Sequence, residues 1–352
     1  MRLRLESLIA VLGAAILLVP APLGAQRKPD PRTSGQALNL VWPLPPEAPR
    51  IKYVASYRGE VDFEQKKPSR WKRLLLGPEE PKLVSVLFKP YGVAVSKTGQ
   101  IYVTDTVQRK VFVIDPAAKT VSFLGDQGPG RVQKPIGVAL DDDGKAFVAD
   151  ATLKRIYGYD AYGNLIIAIG HEGELENPSG LTLDTKNKLL YVADSQTHRV
   201  LCYSATDGVF VRAIGERGPA PGQFNFPTNV SADKAGRLYV ADTMNFRVQV
   251  FGPDGAFVRA FGSVGDSAGN LARPKGVGVD SEGHIYVADA TFNGFEIFDG
   301  EGSPLLSVGV AGNGPGEFVL PAGLFVDDQD RIYVADQGNA RVQVFQYLRQ
   351  SR

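Results

Sequence analysis

The chain has 352 residues, 43% of them hydrophobic and 22% charged, and a formal net charge of +1. These values exclude a disordered protein, because a chain of this length and apolar content can bury a core. They give no support to nucleic-acid binding, which draws on an excess of basic side chains. The 39 Gly and 24 Pro indicate many turns and favour a mostly β protein.

Residues 1–25 have the pattern of a secretory signal peptide. Arg2 and Arg4 precede an apolar run from Leu8 to Val19, and small residues at 24 and 25 suit a cleavage site. This run is shorter than the roughly 20 residues of a membrane span, which favours a cleaved signal over an uncleaved anchor. Gln26 stands where a bacterial lipobox requires Cys. The sequence therefore predicts a periplasmic or secreted protein with no transmembrane span after cleavage.

Residues 26–49 are rich in Pro and polar groups, and they are predicted to form a flexible leader. Trp42 is the exception, because a lone Trp between Val41 and Pro43 is expected to pack on the folded domain. The one cysteine, Cys202, cannot form an internal disulfide. The stability of an exported domain must then come from its core.

From Tyr91 onward the sequence repeats six times. Val-Ala-Asp or Val-Thr-Asp words end at aspartates separated by 45, 44, 48, 47 and 47 residues. These aspartates are Asp105, Asp150, Asp194, Asp242, Asp289 and Asp336. A proline keeps the same spacing ahead of them, at Pro90, Pro135, Pro178, Pro227, Pro274 and Pro321.

Each unit divides into four short runs rich in β-branched and aromatic residues, with turn residues between them. In the fourth unit the predicted strands are 229–232, 237–241, 247–251 and 257–261. Four antiparallel strands at this period describe a propeller blade, and their alternation excludes a helical solenoid. The predicted fold is all-β, a six-bladed β-propeller of four-stranded antiparallel blades over residues 50–347.

The two ends of the repeat fit together. The sixth unit has three strands and stops after Phe345, whereas residues 50–59 have the pattern of a fourth strand without a blade. Adding this amino-terminal strand to the last blade would remove two exposed sheet edges. We predict that the ring closes in this way.

The words Pro-x-Gly-Val, Ile/Leu-Tyr-Val-Ala-Asp and Asn-x-Arg-Val-Gln-Val-Phe resemble NHL repeats. Over about residues 42–347 the chain resembles exported bacterial six-bladed NHL-repeat propellers. The resemblance implies a six-bladed β-propeller, the same fold that the repeat predicts. For function it implies only a range, from lyases and lactonase-like hydrolases to binding platforms.

A residue present in every unit serves what every blade needs, which is strand pairing, turns or packing. Residues with a specific function are therefore expected where the units differ. Asp242 and Arg247 are predicted to form a turn-closing ion pair that recurs in all units but the fifth, where Gly294 replaces the basic residue. Propellers commonly bind ligands at an axial mouth, beside the loops that enter the inner strands and the turns between second and third strands. The predicted binding residues are Tyr91, Arg155, Arg199, Thr228, Asn229, Arg247, Lys275, Arg341 and, in an inserted segment, Trp71.

No catalytic, cofactor or metal site is predicted. Calcium needs several converging carboxylate or amide oxygens, and zinc needs about three His or Cys ligands. His171, His198 and His284 fall in different blades, and the positions that enter the inner strands contain no carboxylate. These facts favour a non-catalytic protein.

Residues 60–89 form an insertion before the first unit. Ser69 to Gly77 is predicted to be a short helix, with Trp71, Leu74 and Leu75 on one side and basic residues around it. Such a helix suits a membrane surface or a protein partner. The alternative is a helix that packs over the channel as a lid.

Together these patterns favour a monomeric binding or scaffold propeller of the cell envelope or extracellular space. It would recognise a protein or another polymer through its axial face and inserted helix, and it would bind no nucleic acid. The alternative is a lyase or hydrolase at the axial mouth, with Tyr91, Lys275 and the turn arginines as acid, base or anion clamp.

Overall fold

The structure is a computed structural model, and it describes residues 39–63, 84–171 and 173–349. Six antiparallel sheets form six blades, and each inner strand contacts the inner strands of the two neighbouring blades. These contacts run from blade 1 through blade 6 and back to blade 1, which makes a closed six-bladed propeller. The predicted signal peptide, and the predicted helix with Trp71, lie outside the described residues.

Each blade has four strands, ordered from the inner strand outward. Blade 1 has Pro90–Val95, Ile101–Asp105, Lys110–Asp115 and Thr120–Leu124; blade 2 has Pro135–Leu140, Ala146–Asp150, Arg155–Tyr159 and Leu165–Ile169; blade 3 has Pro178–Asp184, Leu189–Asp194, Arg199–Ser204 and Phe210–Ile214. Blade 4 has Pro227–Ala232, Leu238–Asp242, Arg247–Phe251 and Phe257–Phe261; blade 5 has Pro274–Val279, Ile285–Asp289, Gly294–Phe298 and Pro304–Val308; blade 6 has Pro321–Val326, Arg331–Asp336, Arg341–Tyr347 and Ile51–Tyr57.

Other short elements connect the blades. Two-residue strands occur at Val41–Trp42, Val310–Ala311 and Glu317–Phe318, and 3-10 turns occur at Glu60–Phe63, Thr243–Asn245 and Gln337–Asn339. The strands predicted for the fourth unit match blade 4 to within two residues at their ends.

The predicted ring closure is confirmed. Ile51 pairs with Tyr347, and Tyr53 pairs with Phe345, in an antiparallel register on the third strand of blade 6. Val41–Trp42 adds a fifth strand outside Ile51–Tyr57. The Trp42 ring lies 5.8 Å from that of Phe345, so the expectation that this Trp packs on the domain is also confirmed.

The core lies between the blades rather than within one of them. The inner and middle strands pack on a neighbouring blade with both faces, so their side chains are almost continuously apolar and buried. Outer strands have one solvated face, and all but the last residue of each are exposed or half-buried. One cluster joins Phe295 of blade 5 to Phe345 and Ile51 of blade 6, so the closing strand contributes to the core.

Candidate functional site

The propeller has two faces, which carry different loops. The connector face holds the connectors between blades and the turns that join second to third strands. The hairpin face holds the turns that join first to second and third to fourth strands. This division follows from the strand order of the sheets, since neighbouring antiparallel strands run in opposite directions.

The six repeated aspartates are buried just beneath the connector face. Asp105, for example, accepts hydrogen bonds from the N–H groups of Phe88 and Lys89 in the preceding connector, at 2.6 and 2.9 Å. Its other oxygen accepts from the N–H groups of Val107 and Gln108 in the turn, at 3.0 and 2.9 Å. Each of the other five also accepts from a connector N–H. The repeated aspartate is therefore structural, because it ties the connector to its blade.

The predicted ion pair forms in blades 4 and 6 and in no other blade of the described chain. Arg247 Nε lies 2.8 Å from Asp242 Oδ2, and Arg341 Nε lies 2.7 Å from Asp336 Oδ2. In these two blades Asn and Gln side chains donate to the same carboxylate. In blades 1 to 3 the prediction is wrong, because turn N–H groups bind the carboxylate instead.

The four predicted binding arginines are engaged to different degrees. Arg341 is 2% exposed, and its guanidinium also donates to three connector carbonyls. Arg247 likewise donates to two connector carbonyls. Arg155 is half-buried and donates to the Gly170 carbonyl, whereas Arg199 is exposed and lines a shallow cleft on the next connector. Arg247 and Arg341 thus serve the blade itself.

The inner strands approach one another closely near the connector face. A Cβ on Gly323 would lie 2.4 Å from the Tyr91 carbonyl, and one on Gly92 would lie 2.4 Å from the Ile136 carbonyl. Glycine is needed at such positions, and it occupies the third residue of the inner strand in five blades. Blade 4 has Asn229 instead, whose side-chain oxygen accepts the Val230 N–H at 2.8 Å.

Tyr91 and Lys275 stand one residue before this constriction. Burial raises the pKa of the Tyr91 hydroxyl, and burial lowers the pKa of the Lys275 ammonium to about 8. The positive charge of Arg273 acts to lower both pKa values, so this guanidinium lies near both side chains. Arg273 was not among the predicted residues, although its place two residues before Lys275 is visible in the sequence. Thr228 is buried, and its hydroxyl donates to the Lys275 carbonyl at 3.2 Å.

A cavity of ≈ 960 Å³ runs along the axis. Its wall is formed by the inner strands of all six blades, Tyr91 and Asn229 included, and by turns of the hairpin face. Two of those turns meet across the opening, where Lys234 Nζ lies 3.0 Å from Asp328 Oδ1. The lining includes turns of the hairpin face and, within the described residues, no connector, so the cavity opens opposite the predicted mouth. Lys275 lies outside this lining.

The connector face carries exposed apolar side chains that were not predicted from the sequence. They are at least 37% exposed and belong to connectors or to turns between second and third strands: Phe88, Val107, Leu153, Phe226, Met244, Val264, Val310 and Leu320. Outer strands carry a second exposed apolar set, which includes Val258 and Leu305. An outer strand has one solvated face in every blade, which accounts for its exposed side chains; the connector-face set has no such cause.

Two of these side chains stand on unusual backbone. Phe226 and Leu320 have φ values of 50° and 52°, in the left-handed region that bulky residues rarely adopt. The Phe226 N–H donates to His198 Nδ1 at 3.1 Å, and the Leu320 N–H donates to Asn293 Oδ1 at 3.1 Å. Each bond comes from the turn of the preceding blade, which holds the strained residue in place.

Blade 5 departs from blades 4 and 6 around Asp289. Gly294 replaces the arginine, and Glu296 replaces the glutamine. Glu296 is 8% exposed and accepts the Gly269 N–H at 3.2 Å. Burial, with the nearby Asp289 charge, raises the pKa of Glu296 to about 7.

The three histidines lie apart in the fold. His198 is bound to the Phe226 N–H, and His284 Nδ1 lies 2.8 Å from Asp280 Oδ2 on the hairpin face. His171 is in the connector between blades 2 and 3. Across the three described ranges, no cluster of three His, Cys, Asp or Glu side chains could hold a metal ion. None of the helices in these ranges is long and apolar enough to cross a membrane.

Comparisons with known proteins agree with this architecture. A family model described as a 6-bladed β-propeller matches residues 280–348, and an NHL-repeat model matches residues 175–203 and 224–251. NHL repeat-containing protein 3 of Homo sapiens is 35% identical over 79 residues, which cover 22% of this chain and 23% of that protein. The chain therefore spans about a quarter of the length of this relative.

Solved structures share the fold at low sequence identity. Virginiamycin B lyase from Staphylococcus aureus superposes with a TM-score of 0.54 and 14% identity, over 74% of this chain and 95% of the lyase. An auxiliary nutrient binding protein from Bacteroides thetaiotaomicron gives a TM-score of 0.58 and 12% identity, over 74% of this chain and 70% of that one. One neighbour is an enzyme and the other a binding protein, so the likeness extends to the fold alone.

Proposed function

The chain is a six-bladed β-propeller of NHL repeats, and from this premise we propose that it is a non-catalytic platform that binds a protein partner on its connector face. The relatives leave function open, since the fold hosts enzymes and binding proteins alike. The proposal therefore rests on the residues of this chain.

The observation that carries the proposal is the exposed apolar set of the connector face. Exposed aromatic, Met and aliphatic side chains that share one face of the propeller suit a protein interaction site, where aromatic and Met side chains are enriched. Phe226 and Leu320 add a second argument, since strained backbone that a fold maintains is often functional. The exposed Arg199 lies on the same face and can add a polar contact at the rim.

The cellular location is part of the proposal. The amino-terminal pattern of basic residues, apolar run and small residues supports export to the periplasm or beyond. The partner would then be an envelope or extracellular protein. We propose that the inserted segment around Trp71 extends the same interface.

The test compares two pairs of variants in cross-linking of the mature protein within its native envelope. Phe226→Asn with Leu320→Asn removes the apolar surface yet suits the left-handed backbone, because Asn adopts this conformation readily. Val258→Thr with Leu305→Thr changes comparably exposed residues on outer strands and is the matched control. We expect the first pair to abolish the cross-linked species and the second to leave it unchanged. Loss in the outer-strand pair alone would place the interface on the rim and overturn the proposal.

A second candidate function is a lyase or hydrolase at the axial end. It is favoured by one observation, the half-buried Lys275 with a pKa of about 8 near Tyr91, since an amine that titrates near neutrality can act as a base. Turnover of a lactone or a cyclic ester by the mature protein, lost in Lys275→Met, would support this alternative over the binding platform.

A further inference from the structure

The inner strands begin at six equivalent positions around the axis. These positions are Tyr91, Ile136, Ser179, Thr228, Lys275 and Ala322. Four of the six side chains are buried, and only Tyr91 and Lys275 are half-buried. The fold does not require a lysine at position 275, because the other five blades have no basic residue at the equivalent position.

Tyr91 and Lys275 flank the smallest side chain of this ring. Blade 6 lies between blades 5 and 1, and it contributes Ala322. The backbones are close on both sides, since a Cβ on Gly276 would lie 2.6 Å from the Ala322 carbonyl and one on Gly323 would lie 2.4 Å from the Tyr91 carbonyl. The blade order thus puts Tyr91 and Lys275 on either side of Ala322 in the ring, and the space between these two residues at Ala322 is called the notch below.

The one charge that shifts the pKa of Lys275 is positive. In the described parts of the chain, Lys275 Nζ has no carboxylate within ion-pair distance, and the one charge that shifts its pKa is that of Arg273. A second positive charge beside a half-buried ammonium disfavours its charged form. A fold that needed neither charge would gain by losing one of them, which points to an anion that offsets both.

The side chains at the notch are donors. Lys275 offers an ammonium, Arg273 an exposed guanidinium, and Tyr91 a hydroxyl that burial keeps protonated. Thr228 holds the Lys275 backbone, because its hydroxyl donates to the Lys275 carbonyl at 3.2 Å and also lies 2.7 Å from that of Thr243. A donor set of this kind complements an oxyanion, whereas its two positive charges would repel a cation.

We propose that Tyr91, Lys275 and Arg273 bind a carboxylate or phosphate group at the axial end of the connector face. The site rests on the proposed function only in that the anion would belong to the bound partner. A single anionic group would then enter the notch while the surrounding apolar side chains contact the rest of the partner. Its specificity would be for the charge and geometry of one oxyanion.

The site can be tested without the partner, by isothermal titration of the mature protein with acetate and with inorganic phosphate at constant chloride. We expect saturable binding of one of them, weakened at least tenfold in Lys275→Met and by a smaller factor in Arg273→Gln. Lys134→Met is the matched control, since Lys134 is an exposed connector lysine of blade 2, and it should bind like the wild type. Affinity should also fall as the pH rises above about 8, where Lys275 loses its proton.

The outcomes separate the two proposals. Preference for acetate identifies a carboxylate source, and preference for phosphate identifies a phosphoryl source. Absence of saturable binding, or an equal loss in Lys134→Met and Lys275→Met, would overturn the anion site and leave the binding platform standing. Anion binding that persists in Phe226→Asn with Leu320→Asn, with the partner cross-link lost in the same variant, would support both proposals.

Discussion

Replacing Glu296 by Gln should stabilise the protein at alkaline pH and leave it almost unchanged at about pH 4.5. Gln249 and Gln343 occupy the same position in blades 4 and 6, where the amide oxygen accepts a glycine N–H at 2.9 Å. Their amide nitrogens donate to a connector carbonyl and to the repeated aspartate. Glu296 keeps the first contact, with Gly269, but an ionised carboxylate has no N–H for the other two.

The magnitude follows from the pKa. The pKa of Glu296 rises from 4.5 to about 7 on folding, mainly through burial. A shift of this size corresponds to about 3 kcal/mol, at about 1.4 kcal/mol per pH unit. Below pH 4.5 the carboxyl is protonated in both the folded and the unfolded protein, so its ionisation takes nothing from the free energy of unfolding. Between pH 4.5 and about 7 the unfolded chain ionises first, so the free energy of unfolding falls as the pH rises. Above about pH 7 the free energy of unfolding is lower by the whole amount, about 3 kcal/mol.

The assay is urea unfolding of wild type and Glu296→Gln at about pH 4.5, 6 and 8. The stability gain of the variant should grow from near zero to about 3 kcal/mol across this series. Glu301→Gln is the control, since Glu301 lies in an exposed turn of the same blade and should show no such trend. A gain that is the same at all three pH values would refute the ionisation argument and assign the effect to hydrogen bonding alone.

Three further predictions concern stability. Ile51→Ala should lower the free energy of unfolding by about 2–5 kcal/mol, because Ile51 is 0% exposed in the closing strand. Val54 is exposed in the same strand, so Val54→Ala should change the free energy of unfolding by less than about 0.5 kcal/mol. Equal effects of the two variants in chemical unfolding would contradict a buried closing strand. Arg341→Lys should cost about 2–4 kcal/mol, since one ammonium cannot serve a carboxylate and three carbonyls, and Arg199→Lys at the exposed counterpart should be neutral. Burial lowers the pKa of His198, so the unfolded state takes up a proton first and wild type should lose stability as the pH falls below 6.5. His198→Gln should not show this loss of stability in the same pH series. Identical pH dependence of unfolding in the wild type and in this variant would contradict the prediction.

The fold was predictable because it depends on repeated, local signals. Turn residues and β-branched runs recur six times, and a missing fourth strand at one end matched an unassigned strand at the other. The strand limits of blade 4 agree with the prediction to within two residues for the same reason. Trp42 was also predictable, because a lone aromatic residue in a polar segment needs a partner.

The site was less predictable because it depends on contacts between distant residues. The five-residue spacing of Asp150 and Arg155 is the same as that of Asp242 and Arg247, yet only the second pair is bonded. The signal that separates them is the accompanying Asn245 and Gln249, which donate to the same carboxylate. Backbone conformation of the kind seen at Phe226 leaves no such signal, because a phenylalanine does not by itself favour a left-handed φ.

The closing strand has a consequence for the order of folding during synthesis. Of the strands that form the six blades, Ile51–Tyr57 is made first and Arg341–Tyr347 last, yet these two pair. Until the carboxyl-terminal strand emerges, Ile51 and Tyr53 have no site in which to be buried, and the final sheet lacks its outer half. A chain released early would expose this apolar strand, which gives proteases a means to separate incomplete molecules from finished ones. The burial of Ile51 and Tyr53 thus depends on synthesis of the last blade strand.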